Sequence, residues 1–372
     1  MNARRTPLAH SSRHGQRGLT LIEMLVGLAI SSLIIVGTVF VYSQSRTSYA
    51  LNDKQARLQE YGRYALSVLE PDLQLAGYFG FSNNPTDLRF MDPVSGNEYP
   101  VSQLEQNDTK VVTAPDAIHT CGTNFVVDLL ATVQGTNGAY FSAATDCQPK
   151  FDYQTDSDTL TIRRASTAVA AVSAAKLQLY VNELKRSNQF IFAAATAPGP
   201  IDDSREVHDL ILHSYYIAQQ SDASKTTPSL RRKYLATKGG NPSIEDEEVL
   251  PGVEDMQVEF GIDSGDHDGI AGVDVDEDKN GIPDNPNGLI SRYVAADDDV
   301  LKTPTAAAGG RQAQVVAVRI WLRIRAEQPE PGFVDTKPYE YANIKYTPSG
   351  TDTGYRRVLV SRTVFLRNAR TL

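Results

Sequence analysis

The pattern of apolar and polar positions divides the chain near its start. Residues 1–18 are polar and basic, and Leu19 to Val41 is an apolar run of 23 residues whose one charge is Glu23. At ~1.5 Å per residue this run is roughly 34 Å long, enough for a ~30 Å hydrocarbon core. From Ser43 to Leu69 the pattern becomes amphipathic. Leu51, Leu58, Tyr61, Ala65, Leu66 and Leu69 recur at threes and fours, against Arg46, Asp53, Lys54, Arg57, Gln59 and Arg63. No proline interrupts Leu19 to Glu70, and Pro71 is expected to break the helix. One continuous helix is therefore predicted, with a membrane-crossing half at 19–42 and an amphipathic half at 43–70.

Beyond Pro71 the period changes from helical to alternating. Turn clusters at Asn83-Asn84-Pro85, Asp92-Pro93 and Ser95-Gly96-Asn97 give way to strand patterns. Strands are expected at Thr159–Arg163, Leu177–Val181, Gln189–Phe192, Leu210–Ala218, Leu230–Leu235, Met256–Phe260, Val315–Arg325 and Val358–Leu366. In Val315–Arg325, Val316, Val318, Ile320, Leu322 and Ile324 alternate with Arg319, Trp321, Arg323 and Arg325. Such a strand belongs to a sheet buried on one face, and the amphipathic helix half is the object to bury it against. The expected fold class is α+β, with residues 71–372 forming a head on antiparallel strands.

Charge and cysteine usage narrow the setting. The formal net charge is −9 and the sequence pI is 5.2, which argues against a nucleic-acid partner. The four arginines before the apolar run, with no acid among them, are expected to stay cytoplasmic, leaving the residues after Tyr42 on the far side of the membrane. Cys121 and Cys147, the two cysteines of the chain, suit one disulfide in an oxidising compartment.

A carboxylate five residues into an apolar span costs about 2.5–3.5 kcal/mol or more unpaired, so Glu23 should have a partner or a task. Its surroundings, Arg17-Gly18-Leu19-Thr20-Leu21-Ile22-Glu23, resemble the class III signal of type IV prepilins and pseudopilins. That resemblance implies cleavage by a prepilin peptidase between Gly18 and Leu19, methylation of the new Leu19 amine, and Glu23 as the fifth mature residue. Family members usually begin with Phe, from which Leu19 departs. Further strings are similar to the PilW family of type IV pilus minor pilins: Tyr61-Gly-Arg-Tyr-Ala-Leu66, Pro228-Ser-Leu-Arg-Arg, Glu248 to Asp263, Val316 to Leu322 and Thr363 to Asn368. They touch both ends and the C-terminal half; residues 80–200 add little.

The resemblance implies a pilin-like architecture and a minor pilin that primes pilus assembly and stays at the tip. Its partners would be other minor pilins, the major pilin and a tip adhesin. Before assembly it would sit in the inner membrane with its head in the periplasm, and afterwards at the pilus tip on the cell surface. In a filament, the Leu19 ammonium would lie in the same apolar layer as neighbouring Glu23 carboxylates, and their pairing would offset burial and fix register. A J-like minor pseudopilin of type II secretion shares these expectations. A membrane-anchored, calcium-dependent binding module whose anchor stays uncut is the rival from another class.

One further cluster invites chemistry. Asp276, Asp278, Asn280, Ile282 and Asp284 stand at positions 1, 3, 5, 7 and 9 of an EF-hand-like loop, with Gly281 at the turn. Position 12 is Asn287 instead of glutamate, and both a calcium site and a solvated acidic turn fit the pattern. No other cofactor is expected. His119, His208 and His213 stand in no zinc or nucleophile pattern, and Arg231-Arg232-Lys233 reads as a solvated strand end. No enzymatic activity is expected.

Overall fold

The computed structural model describes residue 18 and residues 20–81, 85–92, 96–104, 120–184, 189–263, 288–301 and 314–369. The chain divides into two compact units, one ending at Ala56 and the other running from Arg57 to Leu372.

The expected helix, α1, runs over Leu21–Gln74, so Pro71 does not end it. A proline inside a helix deprives the carbonyl four residues back of its donor. Here that residue is Ser67, exposed like Pro71 itself, and water can take the donor's place. The chain turns away only afterwards, where Gly77 adopts φ +72° and its N–H bonds to Arg163 O at 3.1 Å.

All eight expected strands are present, and seven more accompany them among the described residues. In chain order they are β1 (Leu88–Met91), β2 (Glu98–Pro100), β3 (Val133–Thr136), β4 (Thr159–Val169), β5 (Gln178–Asn182), β6 (Gln189–Phe192), β7 (Arg205–Ala218), β8 (Ser229–Lys238), β9 (Asn241–Pro251), β10 (Val253–Asp263), β11 (Arg292–Ala295), β12 (Gln314–Arg325), β13 (Tyr339–Tyr341), β14 (Ile344–Tyr346) and β15 (Arg357–Phe365). The first nine form a sheet in the order β2-β1-β6-β5-β7-β4-β3, with β8 and β9 branching from β7. The branch exists because β7 is long: Arg205–Asp209 pairs with β5, and His213–Ala218 pairs with β8. A second sheet has the order β11-β10-β12-β15, and β13-β14 is a separate hairpin. Among the described residues every strand pairing is antiparallel except β1 with β6.

The helix segment from Leu58 joins both sheets in one core. Leu58, Ala65, Leu69, Leu73 and Ala76 pack with Leu160, Ile162, Tyr215 and Ile217 of the first sheet and with Met256, Phe260, Ile320 and Leu322 of the second. Each large aliphatic so buried contributes about 1.5–3 kcal/mol. Gly62 permits the close approach to β15, since a Cβ there would sit 2.7 Å from Val360 Cγ1. The two sheets are also stitched by Asp158, whose carboxylate accepts N–H bonds from Gly138 at 2.9 Å and Val258 at 2.8 Å. Burial pushes the Asp158 carboxyl up to about 7, against the pull of those two donors and with the help of Asp255 and Asp297.

The arginine face of β12 departs from the sequence expectation. Arg323 is buried, because the β13-β14 hairpin closes over it. Glu254 accepts from Arg323 and Arg357 at 2.6 Å each, and the Tyr346 ring lies 3.7 Å from the Arg323 guanidinium. Long cationic side chains fill an interior when carboxylates and rings meet every edge of them.

Asp72, in the last turn of α1, anchors the helix polar-side. Arg164 donates to its Oδ1 at 3.0 and 2.8 Å, Tyr215 donates to its Oδ2 at 2.7 Å, and His213 Nδ1 meets Oδ2. Burial pushes the Asp72 carboxyl up, yet the His213 bond and charge, Arg164 and Tyr215 outweigh it and hold it at about 2. A depressed carboxyl stabilises the fold above its unfolded value and loses that stability as pH falls through the folded one. Asp72→Asn is expected to lower the unfolding free energy, and the gap from wild type should shrink by about 2 kcal/mol between pH 4 and pH 2. Urea unfolding across that range checks this; a gap independent of pH would contradict it.

A second core lies beneath the Cys121–Cys147 disulfide, where both cysteines pack with Phe79, Phe90, Phe125 and Leu179. Arg163, fully buried, props this loop from below. It donates to Phe125 O at 2.8 Å, Ala131 O at 2.7 Å and Gln134 Oε1 at 3.0 Å. Replacing both cysteines by serine should cost about 3 kcal/mol of stability, read as a lower urea midpoint under non-reducing conditions. Equal midpoints would show that the loop holds without the bond.

Candidate functional site

The N-terminal segment is built from the helix start outward. Leu21 is the first helical residue, so Thr20 is its N-cap and Glu23 stands at the third position. Thr20 N and Thr20 Oγ1 each donate to Glu23 Oε2 at 2.8 Å, while Glu23 N donates back to Thr20 Oγ1 at 3.3 Å. This reciprocal capping box satisfies donors that a helix N-terminus otherwise leaves open. The carboxylate that looked unaccompanied in the sequence thus has local hydrogen-bond donors.

Around it the helix surface is apolar and uncovered. Leu21, Leu28, Leu33, Val36 and Phe40 are among the large hydrophobics exposed from 21 to 42. Polar side chains within the stretch turn inward on the backbone: Ser32 Oγ donates to Ala29 O at 2.8 Å, and Thr38 Oγ1 to Ile34 O. The helix is long and apolar enough to cross a membrane. Gly18 is exposed, and no atom lies within 4 Å of where a side chain would begin. Nothing among the described residues therefore requires glycine at that position. Leu19 lies outside the described residues.

The remaining sequence candidates separate. Cys121 and Cys147 are joined, as expected. Asp276, Asp278, Asn280, Ile282 and Asp284 lie outside the described residues, as does His119. His213 is engaged by Asp72, and His208 Nδ1 lies 2.8 Å from Ser166 O. Among the described residues no group of three or more His, Cys, Asp or Glu is arranged to hold a metal.

Arg231-Arg232-Lys233 is not a solvated strand end. Register places β9 opposite β8, so Arg231 bonds Asp246 at 2.8 Å, Arg232 bonds Glu247 at 3.0 Å, and Lys233 lies 3.4 Å from Asp246. Arg231 and Lys233 are buried by that pairing. The signal was the acidic string 245–248 answering a basic one across the Gly239-Gly240 turn. Asp72 carried no comparable signal, since its three partners come from β4 and β7, 92 to 143 residues away.

Comparison with known proteins gives two family matches. Residues 13–39 match the prokaryotic N-terminal methylation motif, and residues 214–368 match type IV pilus-assembly protein W. The second stretch takes in the end of β7 and every strand from β8 to β15. No curated protein matches the chain. Among solved structures, a type IV-like pilin from Thermus thermophilus is similar at 13% identity, over 59% of this chain and 81% of that one, with a TM-score of 0.24. Through residues 214–368 the chain is thus similar to type IV pilus-assembly protein W, and at 13–39 it carries the prokaryotic N-terminal methylation motif.

Proposed function

We propose that this chain is a minor pilin that primes type IV pilus assembly and remains at the pilus tip. There it would join other minor pilins, the major pilin and a tip adhesin. The observation that carries the reading is the start of α1: an uncovered apolar helix whose one charge, Glu23, is held by its own N-cap next to a glycine without a packing role. The work is assembly, not catalysis.

The capping box suits a segment that lives in two settings. In the inner membrane, Thr20 supplies the donors that reduce the cost of keeping Glu23 in an apolar environment. In a filament, the same carboxylate receives the ammonium that peptidase cleavage creates at Leu19 of a neighbouring subunit, and that pair sets axial register. The matched methylation motif and the type IV pilus-assembly match support both stages.

Two variants test the stages separately. Gly18→Leu should block cleavage and leave a full-length precursor in the membrane, seen as an unshifted band beside the processed wild type. Normal processing of that variant would remove the class III assignment. Glu23→Ala keeps the segment apolar, so membrane insertion should persist while incorporation into pili and twitching fall at least tenfold. Wild-type piliation with this variant, or loss of secretion in place of twitching, would overturn the proposed role.

A further inference from the structure

The sheets of the Arg57–Leu372 unit do not treat their edges alike. An open edge strand offers unpaired N–H and C=O groups to any other chain, and proteins blunt such edges by shortness, proline or charge. Among the described residues the two larger sheets present five edges, and four of them are blunted. β2 has three residues and ends in Pro100, β3 and β11 have four residues each, and β9 carries Pro242, Pro251 and the acids Glu245 to Glu248. The fifth, β15, has nine residues, Arg-Val-Leu-Val-Ser-Arg-Thr-Val-Phe, with no proline and five apolar positions.

The register states which backbone groups face outward. Ala326 N donates to Arg356 O and Leu366 N donates to Val316 O, so Val358, Val360, Arg362 and Val364 direct their backbone groups at β12. Leu359, Ser361, Thr363 and Phe365 therefore direct theirs away from the sheet. Among the described residues no backbone hydrogen bond reaches that side of Leu359–Phe365. The side chains along the edge are correspondingly incomplete in their packing. Val358 and Val360 touch the core but stay half-buried, and Phe365 is 61% exposed.

We infer that β15 is a docking edge that accepts an extended segment of a different polypeptide as a fifth strand of the β11-β10-β12-β15 sheet. Backbone bonds to Leu359, Ser361 and Thr363 would supply affinity, and alternating side chains would supply selectivity. One face of the incoming strand meets Val358 and Val360, which asks for β-branched or other apolar residues. Arg362, 54% exposed and bonded to Glu70 through one nitrogen at 3.0 Å, asks for an acid beside it. A second copy fits poorly. β15 runs in the same direction as α1, since Val360 lies against Gly62, Arg362 against Glu70 and Arg367 against Gln74. Two copies paired antiparallel through β15 would run their 57–74 helix segments in opposite directions, and would set the Arg362 side chains against a partner strand that carries no acid.

This deepens the assembly reading by naming the kind of contact a partner makes, yet its test does not depend on processing at Gly18 or on Glu23. The probe is a synthetic nine-residue peptide of alternating valine and threonine with one central glutamate, titrated against the full chain in detergent micelles. Ser361→Pro removes one outward N–H and no ladder bond to β12, so it should weaken peptide binding at least tenfold at an unchanged melting temperature. In the wild type, the peptide should slow hydrogen exchange at Leu359, Ser361 and Thr363, which reads the contact directly even if the proline variant is destabilised. Absence of peptide binding, protection on β9 instead, or amides on β15 already protected in the free chain would overturn the inference. So would a concentration-dependent dimer that Ser361→Pro abolishes, because the occupant would then be a second copy.

Discussion

The helix segment 57–74 must satisfy two sheets at once, and the head depends on that constraint. Leu58, Ala65, Leu69 and Leu73 present one apolar face to strands of both sheets, and neither sheet buries its inner side without them. The polar side of the same segment is committed too, through Asp72 to Arg164, His213 and Tyr215. A buried carboxylate left without such partners would be expensive, so the network fixes where the helix ends on the sheet. Gly62 completes the fit by letting the helix approach Val360. Loss of any of these contacts is felt by both sheets, because they share one core.

Residues 21–42 answer to a different constraint. Their large hydrophobics are exposed among the described residues, the hydroxyls of Ser32 and Thr38 bond to their own helix, and Glu23 bonds to the Thr20 cap. Such a helix satisfies its own backbone and leaves its packing surface open, the condition under which a helix can sit in lipid or against the flanks of other helices. The head shows a milder version of the same incompleteness at β15, where the backbone, not the side-chain surface, is left unpaired on one side among the described residues.

Much of this was legible in the sequence because it rests on local period. The long helix, the alternating strand 315–325 and the cysteine pair follow from spacing, and the match to the family's N-terminal motif follows from a short contiguous string. What was not legible depends on distant partners. Pro71 read as a helix end because the exposure of Ser67 is a tertiary fact. β9 was absent from the expected strands because each of its acids becomes strand-compatible only opposite the cations of β8. Arg323 read as a solvent-facing residue because the hairpin that covers it follows 14 residues after β12 ends. The capping role of Thr20 was present in the sequence as a T-x-x-E pattern, masked by the expectation that a carboxylate in an apolar run needs a distant partner.

The proposed assembly role requires that the working protein begin with a Leu19 amine, four residues before the capped Glu23. Intact mass and N-terminal sequencing of the chain purified from the membranes of its native host test this most directly. The account expects a protein that has lost its first 18 residues, begins at Leu19 and carries one added methyl group. A chain that still begins at Met1, held in the membrane by an uncut anchor, would contradict it.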